Sequence, residues 1–70
     1  MGTINANMSG VVLRVLVKKG DSIKVDQDVI ALESMKMEML VPATHSGKVQ
    51  EIHVAVDDFV QEGQALITVG

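Results

Sequence analysis

Seventy residues, a net charge of −3, no cysteine and a single aromatic residue, Phe59, bound what this chain can be. So short a chain makes one domain, 1–70, with a thin core. It has no disulfide or thiolate-bound metal to staple it and no basic face for nucleic acid. No apolar run is long enough to cross a bilayer, so membrane insertion is not expected either. The core has to come from Val, Ile, Leu, Met and Ala, and the many β-branched residues favour strands. Gly10 opens a long strand over 11–18, and Lys19-Gly20-Asp21 turns the chain. Ile23 marks a short extended piece, Val25-Asp26-Gln27 turns again, and 29–34 is a strand. After Met39-Leu40-Val41 the order repeats: a strand over 48–56, a turn at Asp57-Asp58, Val60, a turn at Glu62-Gly63-Gln64, and a strand over 65–69. Short strands at close spacing, with almost no room for a helix, read as all-β.

The repetition is in the residues themselves. Shifted by 37 positions, the chain aligns with itself without a gap, half-repeats 9–33 and 46–70, with seven identities over 25 positions. Ser9-Gly10 falls on Ser46-Gly47, Asp21 on Asp58 and Gln27 on Gln64, all at turns rather than in apolar runs. Neither half can hold a core alone, so each must bury its apolar face against the other, giving approximate two-fold symmetry. Gly20 aligns with Asp57 and Asp26 with Gly63. Gly and Asp are residue types that tolerate left-handed backbone, so all four positions are expected there. Positions 12, 15 and 17 do not share one face of a straight strand. A bulge near Leu13-Arg14, and its counterpart near Gln50-Glu51, restores the fit. The expected architecture is a flattened antiparallel β-barrel-sandwich with interlocked halves.

The halves meet at Glu33-Ser34-Met35-Lys36-Met37-Glu38, between apolar segments, which reads as a hairpin with Met35-Lys36 near its tip. The tip lacks the Asn-Gly or Asp-Gly such turns prefer, and local anomalies of this kind tend to mark functional sites. A surface lysine is ordinarily just solvated. Lys36 is singled out by its place at the symmetric joint and by Met35 and Met37, large apolar residues on a turn. Met adapts to partner surfaces. The plainer alternative is that both methionines pack down onto the sandwich edge. His45 and His53 are too few and too scattered for a metal site, and no nucleophile–base pair stands out, so no catalytic residue and no metal are expected.

The run Ala31-Leu32-Glu33-Ser34-Met35-Lys36-Met37-Glu38 resembles the attachment motif of biotinyl domains, the biotin carboxyl carrier members of the biotin/lipoyl attachment family. The resemblance extends over essentially the whole chain. It includes Asn7-Met8-Ser9-Gly10, the Gly-Asp turn of Val17-Lys18-Lys19-Gly20-Asp21, Ser46-Gly47-Lys48-Val49 and Glu62-Gly63-Gln64. Ser34 stands where Ala is commonest, Asp26 and Asp57 stand where the family often has Gly, and Met8-Ser9 lacks a frequent proline. The gap-free alignment of the halves leaves no room for the protruding thumb of some members, so the chain resembles the thumbless kind.

This resemblance implies a carrier and not an enzyme. Lys36 would be the biotinyl-lysine, with biotin as covalent cofactor. Met35 and Met37, with Glu33, Ser34 and Glu38 around them, would serve ligase recognition and positioning of the arm. A biotin protein ligase would activate biotin as its adenylate, and the Lys36 amine would attack the acyl carbon and release AMP. Ordinary lysine is protonated at neutral pH, so the ligase must supply the deprotonation. The tethered group would then shuttle carboxylate between biotin carboxylase and carboxyltransferase subunits or domains, at high effective concentration. A lipoyl carrier on the same lysine is the alternative. Lipoyl domains also have a Glu three residues before the lysine, but usually Asp rather than Met just before it. A barrel-sandwich module without modification would have no reason to present Met-Lys-Met. The implied setting is cytoplasmic, or the mitochondrial matrix for a piece of a eukaryotic carboxylase, and the isolated domain is expected to be monomeric.

Overall fold

Every regular element in the computed structural model, which describes residues 2–70, is a strand, as the many β-branched residues and short apolar runs favour. In chain order these are β1 (Gly2–Asn5), β2 (Gly10–Val15), β3 (Ser22–Ile23), β4 (Asp28–Ser34), β5 (Met37–Pro42), β6 (Gly47–Ile52), β7 (Phe59–Val60) and β8 (Ala65–Val69). They form two four-stranded antiparallel sheets, ordered β1-β8-β6-β3 and β5-β4-β2-β7. Moving each strand to its counterpart 37 residues away converts one order into the other. Each sheet therefore takes two strands from each half, and neither half can fold without the other.

The matched residues have matched jobs. Asp21 Oδ2 accepts from the Lys18 amide at 2.9 Å, and Asp58 Oδ2 accepts from Ala55 at 2.9 Å. Gln27 Oε1 accepts from Lys24 and Gln64 Oε1 from Gln61, both at 3.1 Å. The serines cross between halves: Ser46 Oγ accepts from the Val25 amide and Ser9 Oγ from Glu62, again at 3.1 Å. Gly10 and Gly47 are identical for a steric reason. A Cβ on Gly10 would lie 2.5 Å from the Glu33 carbonyl oxygen, and one on Gly47 2.8 Å from that of Gly70. The four paired turn positions are all left-handed: Gly20 (φ 96°), Asp57 (79°), Asp26 (74°) and Gly63 (89°). Register shifts fall between Val12 and Arg14 and between Val49 and Glu51, at the two expected bulges.

Three expectations change. The first and second long strands leave the ladder at Val15 and Ile52, short of Lys18 and Val56. Past the bulge the chain bends toward the turn, where Leu16 still donates to the Val29 carbonyl at 2.9 Å and Val17 still reaches the core. The N-terminal residues, read only as the approach to the first strand, form β1 along β8, with Ile4 fully buried. Among the described residues no methionine joins the core, which is Val, Ile, Leu and Ala; Met8 packs against its margin. Among the described residues, no helix is long and apolar enough to cross a membrane.

Candidate functional site

β4 and β5 pair from Asp28 opposite Pro42 to Ser34 opposite Met37, so Met35 and Lys36 alone close the hairpin. A type I′ two-residue closure, whose twist matches that of the strands, needs positive φ at both central positions. Both have it, Met35 at 54° and Lys36 at 64°. Side chains with a Cβ resist this region by about 1–2 kcal/mol per residue. The turn is thus held by its flanking ladder, not by its own chemistry. The sequence showed the anomaly but not its form, because nothing in Met-Lys announces a left-handed pair.

The tip projects its side chains. Met35 is 92 % exposed and Met37 62 %, and Lys36 is exposed between them. Met35 therefore does not pack down onto the sandwich edge, and Met37 does so only in part. Glu33 and Glu38 face each other directly across the ladder, both exposed. Arg14, from the β2 bulge, forms an ion pair with Glu38 and relieves that like-charge opposition. Among the described residues the other ion pair is Lys19–Glu51 at 3.7 Å, so the Lys36 ammonium takes part in neither. Ser34 sits half-buried at the base of the tip.

Beside the tip, Met8, Ser34, Met35, Met37 and Met39 line an open apolar groove of about 240 Å³. Met37 and Met39 share a face of β5 by strand alternation, and Met8 arrives from the loop before β2. Met8 and Met39 were missed as site residues; the spacing of Met37 and Met39 by two was the available signal. The histidines lie elsewhere. The His45 ring lies so close over Gly2 that a Cβ there would sit 2.6 Å from it, and His53 Nε2 is 2.7 Å from Thr68 Oγ1.

An amine with no carboxylate partner, raised on a rigid two-residue turn and flanked by exposed thioethers, fits covalent attachment of an acyl group.

The model of the family described as "Biotin-requiring enzyme" matches residues 2–69. The chain is 45 % identical to the biotin/lipoyl attachment protein of Bacillus subtilis, over 93 % of this chain and 89 % of that one. It is 42 % identical to the biotin carboxyl carrier protein of Streptococcus mutans, over 96 % of this chain and 52 % of the relative. Similarity extends to lipoyl proteins: the acetyltransferase component of the Azotobacter vinelandii pyruvate dehydrogenase complex is 43 % identical over 83 % of this chain, but only 9 % of its own. Among solved structures, the Kluyveromyces lactis urea carboxylase contains a region that superposes at a TM-score of 0.91 with 30 % identity, covering 99 % of this chain and 6 % of that one. The chain belongs to the biotin/lipoyl attachment family of biotin-requiring enzymes, and its role is that of a biotin carrier and not of a catalyst.

Proposed function

We propose that Lys36 is the residue that carries biotin, and that a biotin protein ligase attaches it there. The observation behind this reading is the tip itself: an exposed amine without a carboxylate partner, on a strained turn, between Met35 and Met37. The ligase removes the ammonium proton. The Nζ lone pair then forms an amide with the acyl carbon of the activated acid, and AMP leaves. Met35 and Met37 offer the ligase an apolar grip on either side of the lysine. Ser34, small and half-buried, keeps the base of the hairpin narrow, and Glu33 and Glu38 give that base its charge. The bound group supplies the carboxylate-carrying arm. The chain's own contribution is to hold that arm clear of the sandwich and to deliver it to the active sites of carboxylase partners. The domain works as a monomer in this reading, and tethering to its partners sets its local concentration.

The test is an intact-mass measurement after incubation with biotin, ATP and a biotin protein ligase. The wild type is expected to gain one biotinyl group and Lys36→Ala none. An unchanged wild-type mass, or a gain that survives Lys36→Ala, refutes the assignment. The similarity to the lipoyl acetyltransferase motivates a parallel arm with lipoate and its ligase, in which slow or absent modification is expected because Met35 stands where lipoyl domains usually have Asp.

A further inference from the structure

The two-fold symmetry supplies an internal control for surface chemistry. Over the paired part of the sheets, a residue of one sheet has a mate in the other, 37 positions away, with the same backbone role. In the sheet that bears Lys36, Phe59 pairs with Val11, Leu40 lies opposite Ala31, and Leu13 occupies the β2 bulge. The mates in the other sheet are Ser22 paired with Lys48, Thr3 opposite Thr68, and Gln50 in the β6 bulge. Every one of these exchanges is apolar for polar. The fold works with the polar set, so nothing in its architecture demands the apolar one.

Apart from Ala31, which its neighbours cover, the apolar set also reaches the surface. Phe59, the chain's sole aromatic residue, is 62 % exposed, and Leu40 43 %. Val11 and Leu13 are half-buried. A thin core would gain most from its one aromatic ring, yet the ring stands outside. Exposed apolar patches on a small soluble domain mark contact sites. The row Phe59–Val11 continues through Glu33 to Glu38, so the patch runs up to the base of the hairpin. Arg14 pairs with Glu38, which leaves Glu33 as the uncompensated carboxylate at that end.

We propose that this outer face is where the carrier docks on a carboxylase catalytic domain, whose complementary surface is apolar with a cationic side chain set to meet Glu33. The proposal rests on the carrier reading above. Patch size selects this occupant over a second copy of the chain. Four apolar side chains fall short of the roughly 1,200–2,000 Å² that stable complexes bury. A weak contact suffices for a tethered partner, because linkage raises its effective concentration, and a carrier serving two active sites must leave each one.

The test replaces three patch residues by their own mates, Phe59→Ser, Leu13→Gln and Leu40→Thr, in one chain. The mates already occupy the equivalent positions, so the fold is expected to persist. The probe is a purified biotin carboxylase subunit with ATP and bicarbonate. With the biotinylated carrier as substrate, KM is expected to rise about tenfold with kcat unchanged, while the rate of modification by biotin protein ligase stays at the wild-type value. The reverse triple, Ser22→Phe, Gln50→Leu and Thr3→Leu, makes the other sheet apolar and is expected to leave KM unchanged. A second readout needs no biotin: in amide spectra of the unmodified chain titrated with biotin carboxylase, Phe59, Leu13 and Leu40 are expected to shift and Ser22, Gln50 and Thr3 to stay. Failure of ligase to modify the wild type would strike the Lys36 reading alone, since the titration still reports docking. Wild-type KM in the patch triple, shifts spread over both sheets, or a wild-type dimer that the triple dissolves would each overturn the docking proposal.

Discussion

Replacing Met35-Lys36 by Asn-Gly is expected to stabilise the domain while abolishing its modification. Both residues hold positive φ, at 54° and 64°. Glycine at position 36 relieves about 1–2 kcal/mol of left-handed strain and returns roughly 0.5–1 kcal/mol through the freer unfolded chain. Asparagine at position 35 visits the same angles more readily than methionine, a further gain of about 0.5–1 kcal/mol. Neither side chain takes packing with it, since Met35 is 92 % exposed and Lys36 is exposed too. The sum is about 1–2 kcal/mol, and for a domain of this size each kcal/mol moves Tm by roughly 4–8 °C. Far-ultraviolet circular dichroism or calorimetry should thus show Tm rising by roughly 5–15 °C. Lys36→Ala is the control: it removes the amine, keeps the Cβ and the strain, and should leave Tm within about 3 °C of wild type. If Asn-Gly leaves Tm unchanged or lowers it, the hairpin does not store strain at its tip and the turn argument is wrong.

Three further outcomes follow from the symmetric pairs. Gly10→Ala should cost about 1–3 kcal/mol in urea unfolding, because its Cβ meets the rigid Glu33 carbonyl at 2.5 Å; Gly63→Asp should cost less than Gly63→Ala, since Asp26 already holds the equivalent left-handed position at 74°. Asp21→Ala and Asp58→Ala should each cost about 1 kcal/mol by the same assay, and equally, because each removes one 2.9 Å acceptor from a backbone amide at a symmetric turn.

Turn chemistry was the most legible part of this sequence. Ser, Gly, Asp and Gln recur 37 residues apart because each answers one local demand of the backbone, and a local demand can be read from residue type alone. The alternation of Gly and Asp at positions 20, 57, 26 and 63 carried their left-handed angles for the same reason. β1 was harder to read because its identity depends on a distant partner. Ile4 and Ala6 align with Val41 and Ala43, so extending the 37-residue shift backward would have exposed it, but Thr3 and Asn5 look like a polar tail until β8 lies alongside. The methionines were misplaced in the core because hydrophobicity does not say which side of a strand faces in. Met39 lies on the inner face of β5 at the last packed row, half-buried, where the hairpin begins to overhang the core.

That overhang links the fold to its work. Leu32 is fully buried at the last packed row of β4, and Met39 stands opposite it on β5. One row further out the pair is Glu33 and Glu38, and then Ser34 and Met37, before the turn. The hairpin thus runs about two residue pairs past the core, roughly 7 Å at strand rise. That distance frees the lysine from the sandwich without freeing the backbone that carries it, because the ladder continues to Ser34 and Met37. In the second half, β8 runs to Val69, the mate of Leu32, and Gly70 is tied to Lys48 through both of its backbone groups. Two-fold symmetry builds the scaffold, and the hairpin from Ser34 to Met37 presents the lysine beyond it. Residues at the tip and on the outer face can therefore change while every hydrogen-bonded turn that the halves share stays intact.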